Sequence, residues 1–293
     1  MPLGYLNCGF GKVLGKDWLD RIHDLGFAGI RTDVGIQWKS VVKELGEYNK
    51  LSPIFLFGGG NMSGWTKEDF LSYTSLIAKY IVKHNYFSGI PIYFEIGNEP
   101  DIAVREWREN PKELNNTFWE CYQNTKSICS EIELITGGIS NLISDRLTWL
   151  DQFLVDPLPK HAIVGFHRYP NGPDITKPHN GFPSREHEWN RLMSLVNGHR
   201  LFCTETGMSN GPHSVPRGFP LCWINKHIRI SNQQQGEAIA HEWEFYRRKD
   251  VLGMVWYQLR DGRDTYKENF GIYTVKEQEK YSCDVLRKLN MRT

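Results

Sequence analysis

At 293 residues the chain exceeds the roughly 150 of an average domain, yet single α/β barrels routinely reach about 250–300 residues. Apolar residues make up 40 % and charged residues 24 %, which excludes a disordered tail protein, a collagen-like repeat and a coiled coil. Lys+Arg 35 against Asp+Glu 34 leaves a formal net charge of +1, so no domain-wide basic field exists to hold nucleic acid.

Aromatic residues reach 13 %, an excess that fits a groove stacking the flat faces of sugars or bases. No stretch approaches the ~18 apolar residues of a membrane span, so no membrane partner is expected. The start, Met1-Pro2-Leu3-Gly4-Tyr5, has neither a basic nor an apolar signal region, which reads as cytoplasmic, with secretion or release by lysis as the alternatives. Cys8, Cys121, Cys129, Cys203, Cys222 and Cys283 are widely spread and read as reduced thiols, and the glycosylation triplets at Asn61 and Asn115 count as chance.

In chain order, a short apolar run, a Gly-rich or polar turn and an amphipathic stretch recur. Strands are expected near 3–8, 27–34, 53–58, 91–98, 132–138, 162–168, 200–206 and 251–258. Helices are expected near 16–25, 36–45, 66–84, 111–130, 145–154, 185–196, 232–248 and 278–289. Asn110-Pro111 offers an N-cap with Pro at the first helical position; Thr66 with Asp69, and Ser231 with Gln234, have capping-box spacing. Eight strands alternating with eight helices predict a parallel sheet, and eight closes a (β/α)8 TIM barrel; an open doubly wound sheet is the rival. The long irregular stretches 169–184 and 207–231 then fall at the C-terminal face, where such barrels place their chemistry.

Two strand ends stand out. Phe94-Glu95-Ile96-Gly97-Asn98-Glu99-Pro100 runs an apolar strand into Asn-Glu, with Pro100 expected to hold Glu99 extended. Leu201-Phe202-Cys203-Thr204-Glu205-Thr206-Gly207 ends the seventh strand on a second carboxylate. Either glutamate alone is commonplace, as a capping or surface residue. Paired across a barrel mouth, they are what acetal hydrolysis needs: one gives a proton to the leaving oxygen, the other attacks or directs water.

On these motifs the chain resembles the clan A glycoside hydrolases, the retaining (β/α)8 group that includes families 5 and 39. The resemblance spans strands two to eight and implies Glu99 as acid/base and Glu205 as nucleophile. It also implies that Arg31, in Gly29-Ile30-Arg31-Thr32-Asp33, holds the nucleophile ionised. His167 and Tyr169 resemble the strand-six pair near the nucleophile, and Trp256 the strand-eight tryptophan that floors the sugar site. Asn98 would bind the sugar 2-hydroxyl. Asn61 is a further sugar-binding candidate, and Trp65, Trp223, Phe182 and Tyr266 are candidate outer subsites. The other readings of these side chains are a strand-end ion pair for Arg31, buried hydrogen-bonding residues for His167 and Tyr169, and plain core for Trp256. The strand-four motif lacks the Trp that many members place before Asn.

Competing motifs are weaker. Gly9-Phe10-Gly11-Lys12-Val13-Leu14-Gly15 after a strand, with Asp33 ending the next, and Tyr122 four residues before Lys126, would suit a nicotinamide oxidoreductase. No serine stands at the upstream distance such enzymes need, and eight units overshoot their fold. His161, His167, His179 and His187 lack tight ligand spacing, so no metal is expected, and no cofactor. Gly58-Gly59-Gly60-Asn61 lacks the Lys of a phosphate loop. A non-catalytic sugar-binding barrel would lack one of the two carboxylates. The expectation is a single (β/α)8 catalytic domain over 1–293, cleaving a β-linked oligo- or polysaccharide with retention. Long loops on one side suggest endo action; a β-xylosidase- or β-glucuronidase-like exo enzyme is the alternative.

Overall fold

The computed structural model describes residues 2–9, 11–60, 62–142, 144–169, 185–196, 198–208, 211–216, 225–261, 271–274 and 276–289. Seven strands alternate with helices: β1 (Leu3–Asn7), β2 (Gly29–Asp33), β3 (Ser52–Phe57), β4 (Ile92–Ile96), β5 (Ile132–Thr136), β6 (Ile163–Arg168) and β7 (Arg200–Thr206). A hairpin, β8 (Gly211–Pro216) and β9 (Asn225–Ile230), follows, and β10 (Val251–Tyr257) completes the set. The strands close in the order β1-β10-β7-β6-β5-β4-β3-β2, all neighbours parallel, with β8 and β9 apart as an antiparallel pair. The expected TIM barrel is the observed fold, and the open sheet is excluded.

Helices α1 (Lys16–Asp24), α2 (Trp38–Tyr48), α3 (Lys67–His84), α4 (Arg105–Arg108), α5 (Pro111–Ile128), α6 (Ser144–Phe153), α7 (Arg185–Leu195), α8 (Asn232–Arg247) and α9 (Tyr281–Leu289) surround it. Both capping boxes form: Thr66 and Asp69 start α3, and Ser231 and Gln234 start α8. Asn110 makes no side-chain cap; its Nδ2 instead donates to the Glu106 carbonyl at 2.6 Å, because the short α4 ends there. The hairpin lies within a stretch expected to be irregular. Its sequences, Gly-Pro-His-Ser-Val-Pro and Asn-Lys-His-Ile-Arg-Ile, offer no apolar run, and its prolines argue against a strand in a central sheet.

Strand alternation sorts the side chains into two cores. Inside the barrel, Tyr5, Ile54, Tyr93, Ile135, Ile163, Phe202 and Val255 form one cluster, a residue from each of seven strands. The eighth strand, β2, contributes Gly29, where a methyl group would overlap the Tyr5 ring. Gly253 does the same beneath Phe202. Three aromatic rings thus plug the floor, Tyr5 lying edge-on to Tyr93 at 6.1 Å and to Phe202 at 5.4 Å. The second core, between barrel and helices, holds the alternate residues, among them Phe55, Phe57, Phe94, Phe166, Met254 and Trp256. Above the plug the interior turns polar.

Candidate active site

Glu99 is placed by its backbone. β4 exits through Gly97, whose φ of +93° suits only glycine at low cost, and Glu99 itself has φ +46°. The extended conformation expected before Pro100 is therefore not found. The Glu99 N–H donates to the Gly138 carbonyl at 3.0 Å, and its carbonyl accepts from the Ile102 N–H at 3.0 Å, so the turn overrides the local preference. Asp101 clamps the same loop, accepting from the Ser140 N–H at 2.8 Å and Oγ at 2.5 Å. Gly137 and Gly138 leave no room for side chains, lying against Gly97 and against the His167 ring respectively.

Glu205 reaches the same space from β7. Arg31 Nη1 donates to its Oε1 at 2.7 Å, and Tyr169 Oη donates to its Oε2 at 2.5 Å. Burial pushes the Glu205 carboxyl up, but His167, Arg31 and the Tyr169 hydrogen bond outweigh it and hold the group below the usual carboxylate range. His167, fully buried, sets Nδ1 3.1 Å from Glu99 Oε1 and 3.7 Å from Glu205 Oε2. Burial opposes its charge, yet the two glutamates raise its pKa above the ordinary imidazole value. Tyr169 stays a phenol, its pKa pushed well up by burial and by the Glu205 charge.

Arg31 is held in turn by a residue without an assigned role in the sequence. Glu95, wholly buried, accepts from Arg31 Nε at 2.6 Å and Nη2 at 3.0 Å, while Nη2 also donates to Asn98 Oδ1 at 3.0 Å. The signal was available: a charge in an apolar strand, two positions from the inward-facing Tyr93.

A cavity of about 620 Å³ opens at this end of the barrel, lined by Arg31, Asn98, Glu99, Tyr169 and Glu205, as well as by Asn7, Gly9, Asp33, Leu56, Gly60, Tyr257 and Gln258. Two expectations fail here. Trp256 is 3 % exposed and lies in the outer core, because Val255 and Tyr257 take the inward positions of β10. Tyr257 is the β10 aromatic that reaches the cavity, edge-on to Tyr169 at 6.3 Å. Burial, then Glu205 and Asp33, push its phenol up to about 12, which keeps it a donor. Trp65 packs against Phe57, Phe70 and Tyr73 at the outer wall, its carbonyl accepting from Trp107 Nε1 at 3.1 Å, and does not line the cavity. Asn61, Phe182, Trp223 and Tyr266 lie outside the described residues.

The oxidoreductase motifs do not assemble. Glu44 accepts from the Leu14 and Gly15 N–H groups at 2.9 and 2.6 Å, putting a carboxylate where a dinucleotide phosphate would bind. Tyr122 and Lys126 lie on α5, an outer helix. Glu99, His167 and Glu205 place one donor atom each within 4.8 Å of the others, a set that could ligate a cation.

No family model matches the chain, and no curated protein sequence does. Solved structures share its fold. A family 39 glycoside hydrolase from the gut symbiont Bacteroides cellulosilyticus WH2 aligns with a TM-score of 0.68 at 16 % identity, over 99 % of this chain and 64 % of that one. An exo-β-1,4-mannosidase from Opitutaceae bacterium strain TAV5 aligns at 0.65 and 14 %, over 99 % and 59 %. An endoglucanase from the hyperthermophilic Thermotoga maritima aligns at 0.64 and 15 %, over 98 % and 96 %. The chain thus spans about three-fifths of the first two and nearly all of the third. At such identities the likeness establishes the fold they share, a (β/α)8 barrel.

Proposed function

We propose that the chain is a retaining β-glycosidase of the clan A type, with residues 1–293 as its catalytic domain. One observation carries this reading: Glu99 and Glu205, from the ends of β4 and β7, line one cavity, with one carboxylate oxygen of each within 4.8 Å of the other. Retaining enzymes need their two carboxyl groups about 5–5.5 Å apart, whereas inverting ones need about 6.5–9.5 Å to admit a water. The folds of the structural neighbours, and their activities as a glycoside hydrolase, a mannosidase and an endoglucanase, agree with a carbohydrate substrate.

In the first step a Glu205 oxygen bonds to the anomeric carbon while the glycosidic C–O bond breaks, and Glu99 gives its proton to the departing oxygen. In the second, Glu99 takes a proton from water, the resulting hydroxide oxygen bonds to the same carbon, and Glu205 leaves as carboxylate. Arg31 and Tyr169 keep Glu205 ionised for attack. His167 steadies Glu99, and Asn98, anchored by Arg31, is positioned for the sugar 2-hydroxyl. Endo action on a β-linked polysaccharide is the finer form of the proposal, supported by the length of the segments 169–184 and 207–231.

The test is a panel of aryl β-glycosides and dyed polysaccharides, with the hydrolysis of the best one followed by proton NMR. The β-anomer is expected first. Initial α-anomer would mean inversion, with Glu205 as a base, and no turnover anywhere would overturn the glycosidase reading.

A further inference from the structure

A second recess, of about 630 Å³, lies between α2 and α3 on the outside of the barrel. It exists because the two helices differ in length. α3 has 18 residues and α2 has 11, and Trp38, the first residue of α2, meets Tyr80 near the end of α3, edge-on at 5.5 Å. About three turns of α3 therefore run past the start of α2 and leave one side uncovered. The residues of α3 on that side recur every three or four positions from 69 to 83, a single helical face on the order of 20 Å long. Leu76, at its middle, is 48 % exposed.

The recess combines aromatic rings with cations. Trp38, Tyr73 and Tyr80 line it half-buried, and the exposed Lys39, Lys79 and Lys83 stand around them. Lys39 Nζ lies 5.6 Å from the centre of the Trp38 ring, and none of the three lysines enters an ion pair among the described residues. Asp69, the acid among the described lining residues, is turned to the start of α3, accepting from the Thr66 N–H at 2.9 Å and Oγ1 at 2.8 Å. An aromatic ring offers a flat apolar surface to the face of a pyranose, hydroxyls meet its edges, and ammonium groups attract carboxylates or sulfates. The upper end of the recess lies toward the barrel mouth. There Tyr73 packs at 5.4 Å against Trp65, whose segment between β3 and α3 also supplies Gly60 to the cavity wall. One polymer chain can thus pass from the cavity over this segment into the recess.

Resting on the glycosidase reading above for the class of polymer, we infer that this recess is a second, non-catalytic carbohydrate-binding site that takes a stretch of polysaccharide bearing carboxylate or sulfate groups. The rings hold the sugar faces, and the lysines supply the preference for acidic chains. A second copy of this chain docking through the same face would bring its own three lysines against these, and like charges facing each other oppose binding. No step of the double displacement passes through the recess. Its contribution is affinity for the polymer, with turnover of a small glycoside left unchanged.

The experiment uses polymers that share a β-1,4-glucan backbone and differ in charge: neutral hydroxyethylcellulose, carboxymethylcellulose and cellulose sulfate. Polyglutamate and phosphatidylserine vesicles present acidic groups without a sugar chain. Binding is followed by biolayer interferometry on the full chain carrying Glu205→Gln, which leaves the polymer uncut. It is repeated with Lys39→Gln, Lys79→Gln and Lys83→Gln added together, and with Leu76→Glu added alone. All four side chains are exposed, and thermal melts check that each variant folds. The acidic glucans should bind at least about tenfold more tightly than the neutral one. The triple substitution should weaken them by about tenfold, since exposed charge contacts are each worth a small factor. Salt at about 1 M should bring the parent to the same level. Leu76→Glu should weaken them too, by setting a like charge in the middle of the face. Absent binding of both acidic glucans, equal binding of the neutral one, or variants that bind like the parent overturn the inference. So do polyglutamate or vesicles bound as tightly as the acidic glucans. With Glu205 restored, the groove variants should keep the wild-type kcat/KM on the best aryl β-glycoside. No turnover of any glycoside overturns the glycosidase reading instead, while the binding measurements still decide the recess.

Discussion

Arg31 and Glu95 form a two-pronged ion pair inside the barrel, Nε to Oε2 at 2.6 Å and Nη2 to Oε1 at 3.0 Å, with neither side chain more than 1 % exposed. The pair aims the remaining guanidinium nitrogen: Nη1 points at Glu205 because the other two are held by Glu95 and Asn98. Glu95 is thus a positioning residue for the proposed nucleophile.

Glu95→Gln keeps the shape and removes the charge that holds Arg31. A broken buried pair costs roughly 3–5 kcal/mol, which denaturant melts should register. The kcat should fall more than KM rises, since Arg31 steadies Glu205 at the moment its charge is consumed. Glu95→Asp should recover part of both losses. A variant with wild-type kcat would mean that Arg31 needs no second anchor.

The pH profile carries a sign. Glu205 must be ionised to attack, and its carboxyl is held below the ordinary carboxylate pKa of about 4.3. The acidic limb of kcat/KM should therefore lie below that value. Tyr169→Phe removes one of the groups that lower it, so the limb should move to higher pH while the basic limb stays. An acidic limb unmoved by the substitution would show that another group sets it.

Azide separates the two glutamates. Glu205→Gly opens space beneath the anomeric carbon, so azide and an activated β-glycosyl fluoride should give the inverted α-glycosyl azide. Glu99→Gly leaves the nucleophile in place, so azide enters in the second step and the product should be the β-glycosyl azide. Turnover of poor leaving groups should fall by roughly 10²–10⁴-fold in Glu99→Gly, the usual loss for a missing general acid, and far less for good ones. Swapped products would reverse the two roles.

Activity should survive exhaustive dialysis against EDTA. Glu99, His167 and Glu205 could ligate a cation, but a cation there would occupy the oxygens the double displacement uses. Loss on chelation, restored by a divalent ion, would replace the two-glutamate mechanism.

Far from the chemistry, Gly253→Ala drives a methyl group into the Phe202 ring in the barrel floor. Overpacking of this kind costs roughly 1–3 kcal/mol, so the melting temperature should drop while kcat per folded molecule is kept. An unchanged melting temperature would mean that the Tyr5–Tyr93–Phe202 plug yields easily.

Much of the barrel was legible because its signals are local. Apolar runs marked the strands, the Thr66 and Ser231 boxes marked two helix starts, and acidic side chains at two strand ends marked the mouth. The hairpin was hidden by its prolines and polar residues. Glu99 was expected to be extended on the strength of Pro100 alone, whereas the Gly138 carbonyl, 39 positions on in the chain, bends it to φ +46°.

By itself the sequence determined the eight βα units and the order of Arg31, Asn98, Glu99, His167, Tyr169 and Glu205 along them, since both depend on periodicity and on residue type at a strand's end. Only closure of the barrel decided which side chains meet. It brought Arg31 to Glu205 across 174 positions, gave Glu95 its partner, and chose Tyr257 over Trp256 for the cavity. A buried parallel strand is apolar on both faces, so its sequence does not say which face turns inward; packing against the barrel interior on one side and the helices on the other does.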